Sequence, residues 1–268
     1  TQRPIGPDTI YRIYSMSKII TCTAALMLYE RGLYALNDSL CDYLPEFGDP
    51  QVFRRDAQGL PCTSRAAGPI RVKDLFTMTA GYPYPGDWND TAKRMAEAFG
   101  GPPGTEHAAG WNLRDFSLAM AKIPLAFDPG TQWMYGMCHD ILGAFIEALS
   151  GKVFGQFLKD EIFDPLGMKD TGFRIEESKR GRLCSMYHRA DDGTMTKITD
   201  RDSDFQPDAV FESGGGGLLS TLADYTAFAQ ALAMGEVGGV RLLSDHTIRM
   251  MATNHLNAQQ MADYNWEQ

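Results

Sequence analysis

The sequence contains few cysteines, and none is placed as a metal ligand usually is. Among 268 residues there are five, an odd number, with no Cys-x-x-Cys pair and no Cys/His cluster at zinc spacing. A disulfide framework and a metal site are therefore disfavoured, and nothing in the sequence indicates another cofactor. An odd number of cysteines without a disulfide framework favours a reducing compartment, so the predicted location is cytoplasmic. The five are Cys22, Cys41, Cys62, Cys138 and Cys184.

Long apolar runs and basic clusters are also absent. No stretch approaches the roughly 18 apolar residues that a helix needs to cross a bilayer, so no membrane span is predicted. The formal net charge is −9, from 25 Lys and Arg against 34 Asp and Glu. Nucleic acid is disfavoured as the main partner, because phosphate binding needs a basic face. A small-molecule substrate is the expected partner, and the sequence does not indicate an oligomeric state.

The first residues, TQRPIGPDTIYRIY, lack the features of a signal peptide: a basic start, an apolar core and a small-residue cleavage site. They also lack an initiator methionine and lead at once into a helical pattern. We therefore expect the chain to be an internal portion of a longer protein, and the predicted location depends on residues upstream. The length fits one catalytic domain over residues 1–268.

Helical patterns alternate with glycine and proline signals along the chain. After Ser15 the apolar residues are so dense that the first helix is expected to be buried almost all round. This helix should end at Gly32, which can adopt a left-handed cap. Further helices are predicted at about residues 113–122, 139–150, 154–163 and 221–233.

Turn signals predict one hairpin and one unusual segment. An Asp-Gly turn at Asp192 and Gly193 lies between polar and β-branched residues, as in a β-hairpin, and strands are otherwise scarce. The only low-complexity stretch is SGGGG, residues Ser213–Gly217, called the glycine segment below. Its four glycines permit a tight turn or a close approach of the backbone to a ligand, and the turn is favoured.

Ser15 and Lys18 open the first helix. Residues at i and i+3 of a helix share a face, with Cβ atoms roughly 5 to 6 Å apart. A hydroxyl at a helix start lies where the helix dipole favours negative charge, and a neutral lysine amine in dry surroundings can take its proton. Alternatively, Ser15 caps the helix and Lys18 is solvated, since Ser-x-x-Lys is common by chance. Ser17 competes as nucleophile but points to another side of the helix.

Tyr135 is a third candidate catalytic residue. It follows a Pro-Gly turn and precedes the helix predicted at 139–150, so a loop on a rigid scaffold presents its phenol. A tyrosine beside a buried ammonium can exist partly as phenolate and relay protons. The alternative is an aromatic side chain of the core.

Five segments, in this order and at these separations, resemble the serine β-lactamase and penicillin-binding-protein superfamily. Within it they are most similar to the class C-like branch that includes the family VIII carboxylesterases. Ser-x-x-Lys is a signature of this superfamily. The resemblance runs along essentially the whole chain, and the segments are specific jointly rather than singly. They are SMSK, LFTMTAGYPY, FDPGTQWMYGMCHDILGAFIE, FDPLGMKDTGF and GGGGLLSTLADYTAFAQAL.

The resemblance implies a fold and three roles. The implied fold class is α/β (α+β): a β-lactamase/transpeptidase-like domain with a helical subdomain, roughly residues 40–212, against an antiparallel sheet. Ser15 would be the acylated nucleophile, Lys18 its base and Tyr135 the proton shuttle of the Tyr-x-Asn motif. The backbone N–H of Ser15 would be one donor of the oxyanion hole.

The sequence departs from the family pattern at two places. Met137 stands where the β-lactamases keep asparagine, so an amide that would hold a lactam side chain is missing, as is more typical of the esterase branch. The third family motif, Lys-Thr-Gly or its His/Trp-Gly variants, does not occur. Family members usually carry further strands before and after the matched segments. The terminal strands of the sheet, and with them the second oxyanion donor, are therefore expected to be missing from this chain.

The favoured function is a serine hydrolase that cleaves carboxylic esters through an acyl-enzyme. A β-lactamase or D-amino-acid peptidase working with the same site is the alternative, made less favourable by Met137. A non-catalytic sensor resembling a penicillin-binding protein is a second alternative, which the presence of Ser15 and Lys18 disfavours. The expected substrate is accordingly a small ester or amide.

Aromatic residues near the matched motifs are candidates for an apolar substrate pocket, together with Met137. At least two of them are expected to be part of the core instead. A conventional Ser-His-Asp hydrolase is disfavoured because no Gly-x-Ser-x-Gly motif occurs, and His139 and Asp140 are expected to cap a helix. The aromatic candidates are Tyr82, Tyr84, Trp88 and Trp133.

Overall fold

The computed structural model of the protein describes residues 4–99, 110–199 and 205–267, in which helices and short strands are mixed. The helices are α1 (Ser17–Glu30), α2 (Val72–Phe76), α3 (Asp90–Phe99), α4 (Leu113–Met120), α5 (Cys138–Ser150), α6 (Phe154–Leu158), α7 (Leu222–Met234), α8 (Asp245–Met251) and α9 (Ala258–Glu267). The strands are β1 (Ile10–Arg12), β2 (Gln51–Arg55), β3 (Pro61–Arg65), β4 (Met186–Arg189), β5 (Met195–Ile198) and β6 (Leu219–Thr221). They form antiparallel pairs, β1 with β6, β2 with β3 and β4 with β5.

The helices predicted from apolar periodicity are confirmed within a few residues. Helices α4, α5 and α7 match the predicted ranges, and Gly151 closes α5 with a left-handed φ of 68°. The helix predicted at 154–163 is correct in extent but changes type. It is α-helical to Leu158 and continues as a π-helical segment, Lys159–Phe163.

Helix α1 lies at the centre of the core and packs on α5. Ten of its 14 residues are buried, as the dense apolar pattern predicted. In α5, Ile141, Leu142 and Phe145 are each 0% exposed, and α2 and α4 pack against the same helix. Full burial of a side chain of this size stabilises the fold by about 1.5 to 3 kcal/mol. The α1–α5 pair is therefore a rigid support for residues at its N-terminal ends.

The β1–β6 pair brings two distant parts of the chain to those ends. In its register Ile10 pairs with Thr221 and Arg12 with Leu219, and the backbone N–H of Ile13 donates to Leu218 at 3.0 Å. Strand β1 leads into α1, while the glycine segment leads into β6. The pairing therefore places the glycine segment beside the start of α1.

Of the two hairpins within the described ranges, only one was predicted. Strands β4 and β5 flank the turn at Asp192 and Gly193, and Gly193 has a φ of 86°, as the Asp-Gly signal requires. The hairpin of β2 and β3 was missed. All five residues of β3 are exposed, so the apolar alternation that marks a half-buried strand does not occur there. Short strands are accordingly more numerous than expected.

Two further predictions concern membrane-spanning helices and a helical subdomain. Among the described residues, no single helix has the length and apolar character of a membrane span, although α5 and the segment 154–163, bent by 76°, qualify together by length and composition. The proposed helical subdomain of residues 40–212 stays a prediction. That range contains α2 to α6 and also both hairpins, β2–β3 and β4–β5.

Candidate active site

Ser15 lies on a short 3₁₀ turn, Tyr14–Met16, that runs directly into α1. Its side chain is exposed, whereas Ser17 and Lys18 are buried. The preceding Tyr14 has a φ of 42°, a left-handed conformation that costs a non-glycine residue about 1 to 3 kcal/mol. The chain thus bends sharply before α1 and presents the Ser15 hydroxyl at the surface.

Lys18 reaches Ser15 from the first turn of α1, as the i, i+3 spacing predicted. Its side chain is only 7% exposed, and each of its three possible donor positions has an acceptor. The Nζ atom donates to Ser15 Oγ at 3.1 Å, to the Tyr84 hydroxyl at 3.0 Å and to the Gly215 carbonyl oxygen at 2.5 Å. Lys18 is therefore not the solvated side chain that the alternative interpretation expected.

Tyr135 approaches Ser15 from the loop before α5. Its hydroxyl donates to Ser15 Oγ at 2.6 Å, and the centre of its ring lies 4.8 Å from Lys18 Nζ. A cation this close to an aromatic face is stabilised by it. The structure thus brings together the three predicted catalytic side chains, two from the start of α1 and one from 120 positions further along the chain.

Ser15, Lys18 and Tyr135 form a cluster to which Tyr84 adds a fourth side chain. The sequence suggested Tyr84 only as part of a pocket wall. An isolated antiparallel bridge between Pro83 and Gly136 joins its loop to that of Tyr135. The two rings lie 5.6 Å apart, and both face the Lys18 ammonium. The available signal was the tyrosine that ends LFTMTAGYPY, one of the segments that resemble the superfamily.

The glycine segment is a tight structural turn that also supplies an acceptor to the site. Its Gly214 carbonyl accepts from Thr21 Oγ1 at 2.8 Å, and its Gly215 carbonyl accepts from Lys18. A Cβ atom on Gly214 would lie 2.3 Å from the His139 carbonyl oxygen of α5 and 3.1 Å from Thr21 Cγ2 of α1, so only glycine fits between the two helices. The favoured interpretation of this segment as structural is confirmed. Its contact with Lys18 was not predicted.

Two titratable residues at the start of α5 lie beneath the cluster. Burial, partly offset by hydrogen bonds and by the Lys18 charge, raises the pKa of the Asp140 carboxyl above its ordinary value. Burial and the nearby Lys18 charge lower the pKa of His139 to about 3, so its imidazole is neutral near pH 7. Neither side chain hydrogen-bonds Ser15 in the part of the chain that the structure describes. A Ser-His-Asp arrangement is thus not formed.

The expected pocket residues divide into buried and accessible ones. Tyr82 is 1% exposed and packs its ring on Phe47, and Met137 is 7% exposed within the same core. The Met137 N–H donates to the Tyr82 carbonyl at 3.1 Å, and both side chains lie in the core. Both side chains are therefore enclosed by the core in this conformation. Their contact with substrate stays a prediction.

The two tryptophans among the expected pocket residues are more accessible. Trp133 is half-buried, with its ring 6.3 Å from Tyr135, and so borders the cluster. Trp88 is 58% exposed. Across the described ranges, no group of three or more His, Cys, Asp or Glu side chains is arranged to hold a metal ion.

This arrangement of an exposed serine, a buried lysine and a tyrosine at the head of a central helix is suited to acyl transfer. A family model described as Beta-lactamase matches residues 1–266. The chain belongs to this family, and its mixed α/β architecture is the β-lactamase/transpeptidase fold.

Individual relatives agree with this assignment. Protein Rv1367c of Mycobacterium tuberculosis is 31% identical over 260 residues, which cover 96% of this chain and 62% of that protein. Esterase EstB of Burkholderia gladioli is 29% identical over 255 residues, covering 86% of this chain and 58% of EstB. Unliganded simvastatin synthase (LovD) from Aspergillus terreus superposes with a TM-score of 0.81 at 24% identity, over 100% of this chain and 64% of that one. The chain thus spans about three fifths of the length of these relatives.

Proposed function

We propose that this chain carries the catalytic site of a serine hydrolase that cleaves carboxylic esters through an acyl-enzyme. The observation that carries the proposal is the position of the Ser15 hydroxyl. It is exposed to solvent and lies within hydrogen-bond distance of both the Lys18 amine, at 3.1 Å, and the Tyr135 hydroxyl, at 2.6 Å. A nucleophile and a base in contact are the signature of covalent catalysis.

The three hydrogen-bond partners of Lys18 can accommodate a neutral amine that acts as base, provided that Ser15 donates and the other two accept. A neutral amine has two N–H groups and one lone pair. When Tyr84 and Gly215 accept the two N–H groups, the third position points its lone pair at Ser15 Oγ. The hydrogen of a hydroxyl group is free to rotate. The hydrogen bond between Ser15 Oγ and Lys18 Nζ can therefore also run from the hydroxyl to the amine. The geometry thus accommodates proton transfer from serine to lysine.

The reaction proceeds in two balanced halves. Ser15 Oγ attacks the carbonyl carbon while its proton passes to Lys18, directly or through Tyr135. The tetrahedral intermediate collapses as that proton moves to the alcohol oxygen, and the acyl group remains on Ser15. Water then attacks the ester, loses its proton to the same base, and the acid leaves as Ser15 regains a proton. The Ser15 N–H at the head of α1 is one donor for the carbonyl oxygen.

An ester is favoured over an amide by residue 137. Methionine offers no amide to a substrate side chain, and Met137 is buried. The alcohol of an ester is also an easier leaving group than an amine, so less depends on its protonation. The similarity to Esterase EstB supports the same choice. Trp133, beside Tyr135, is proposed to border the bound acyl or alcohol group.

A fluorophosphonate probe on the purified full-length protein tests the proposal. We expect covalent labelling of Ser15, located by mass spectrometry of peptides, and its complete loss in Ser15→Ala. Ser17→Ala is the matched control, because Ser17 is two positions away but buried, and it should still be labelled. Absence of label on the wild-type protein, or label on another serine, would refute Ser15 as nucleophile.

A further inference from the structure

We infer that Asp140 is a positioning residue for Lys18, acting through the glycine segment. This inference rests on the proposed function, since it assigns Asp140 to holding the base of that reaction. Within the described residues, no hydrogen bond joins the Asp140 side chain to Ser15. Asp140 binds the backbone that supplies one of the three acceptors of Lys18.

The contacts form a continuous chain from α5 to the amine. Asp140 Oδ1 accepts from Ser213 Oγ at 2.5 Å and from the Gly215 N–H at 3.1 Å. The same Gly215 presents its carbonyl oxygen to Lys18 Nζ at 2.5 Å. A Cβ atom on residue 215 would lie 2.5 Å from Asp140 Oδ2, so the glycine segment packs directly on the carboxyl group. A shift of this segment would therefore move the Gly215 carbonyl away from Lys18.

Among the acceptors of Lys18, the Gly215 carbonyl is the one that cannot change during the reaction. The Ser15 oxygen becomes an ester oxygen on acylation and thereby a weaker acceptor. The Tyr84 hydroxyl can rotate and exchange its proton. A main-chain carbonyl does neither, so it alone keeps the amine in place between the acylation and deacylation steps. The residue that orients this carbonyl consequently affects both steps.

The burial of Asp140 costs free energy, which its contacts have to offset. The residue is 1% exposed at the start of α5, where taking a carboxyl group out of water is costly. The charged and titratable groups that face this region are Lys18, Cys22, Cys138, His139, Tyr84 and Tyr135. Lys18 is the cation among them, which ties the position of the carboxyl group to that of the base.

The test compares Asp140→Ala, Asp140→Asn and Ser213→Ala by their rate of fluorophosphonate labelling between pH 6 and 9. Both hydrogen bonds of the carboxyl end on Oδ1, an oxygen that asparagine retains. Asp140→Ala should slow labelling at the pH plateau at least tenfold, and Asp140→Asn should recover most of the rate. The pH of half-maximal labelling should also change in Asp140→Ala, because the hydrogen bonding around Lys18 depends on the position of the Gly215 carbonyl.

Asp74→Ala is the matched control. Asp74 is a carboxyl of similar burial, 3% exposed, whose contacts are the Arg71 N–H and Thr79 Oγ1 rather than the cluster. It should lower the melting temperature without changing the labelling rate of the folded protein or its pH dependence. Should Asp140→Ala not fold, Ser213→Ala removes one of the two bonds and should slow labelling about threefold with the same pH shift.

The outcomes separate this inference from the proposed function. No labelling of Ser15 in the wild-type protein refutes the proposed function itself. Normal labelling of the wild type with an unchanged rate and pH midpoint in Asp140→Ala, or in Ser213→Ala if the former does not fold, overturns only the role of Asp140. An Asp140→Asn as slow as Asp140→Ala, or a control Asp74→Ala that shows the same loss, also overturns it.

Discussion

Gly136 and Tyr82 come so close that a Cβ atom on residue 136 would lie 2.1 Å from the Tyr82 carbonyl oxygen. Contacts below about 3 Å are not tolerated when the neighbour is backbone, so only glycine permits this crossing. The crossing joins the loop that ends at Tyr84 to the loop that carries Tyr135. The distance between these two tyrosines, and their shared approach to Lys18, is thus set by a residue that takes no part in the chemistry.

Gly136→Ala should therefore damage the site while leaving the core folded. The two loops have to separate, which draws the Tyr135 hydroxyl away from Ser15, and a displacement of about 1 Å costs on the order of a hundredfold in rate. We expect that loss in kcat/KM for p-nitrophenyl butyrate. The control is Gly68→Ala, where an added Cβ meets nothing within 4 Å, and it should keep normal activity. Normal activity in both variants would show that the crossing at Gly136 does not position Tyr135.

Lys18→Arg tests the base. Arginine keeps a positive charge at this buried position, but its guanidinium stays protonated because its pKa exceeds about 12. Turnover of p-nitrophenyl butyrate should fall by on the order of a hundredfold or more, as for loss of a general base. The exposed Lys122 offers the matched control, and Lys122→Arg should leave turnover unchanged. Near-normal turnover in Lys18→Arg would mean that Lys18 has a structural role.

The sequence predicted the local part of the site well and its long-range part poorly. The relation of Ser15 to Lys18 follows from helix periodicity alone. Tyr135 was selected by its place before a helix and by the family resemblance, neither of which fixes its distance from Ser15. The roles of the Gly215 carbonyl and of Asp140 were not predicted, because a main-chain acceptor has no side-chain signature.

The aromatic residues show why the pocket was harder to predict than the nucleophile. Tyr82 and Tyr84 are two positions apart in one irregular loop, yet the first is fully buried and the second faces Lys18. Which of them turns inward depends on the crossing at Gly136, a contact between segments far apart in sequence. The β2–β3 hairpin was missed because it lacks a local signal: all of β3 is exposed, so its sequence shows no apolar pattern.

His139 makes the stability of the fold depend on pH. Burial lowers the pKa of its imidazole from the ordinary value of 6.5 to about 3 in the folded protein, so below pH 6.5 the unfolded chain binds a proton that the folded one does not. Unfolding free energy is therefore lost as the pH falls from 6.5 towards 3, by about 2 kcal/mol at pH 5. The raised pKa values of Asp74 and Asp140 act with the opposite sign.

Urea denaturation at pH 7.5 and pH 5.0 isolates this contribution. Between the two pH values, the unfolding free energy of the wild-type protein should fall by about 2 kcal/mol more than that of His139→Gln. The carboxyl groups contribute equally in both proteins, so their effect cancels in the difference. His255 is exposed, so His255→Gln should behave as the wild type does. An equal pH dependence in the wild type and in His139→Gln would show that the buried imidazole does not resist protonation.

The choice between ester and lactam substrates rests on Met137. An asparagine at this position can hydrogen-bond the side-chain amide of a lactam, whereas a thioether is a weak acceptor and cannot donate. A bound amide left unpaired loses about 1 to 3 kcal/mol, while an ester with an apolar acyl chain needs no such partner. We therefore expect kcat/KM for short-chain p-nitrophenyl esters to exceed that for nitrocefin at least about a hundredfold, the scale that a few kcal/mol implies. Both substrates are measured on one preparation of the full-length protein, with Ser15→Ala as the blank for each. Comparable or faster turnover of nitrocefin would refute the esterase assignment and favour a β-lactamase working with the same three residues.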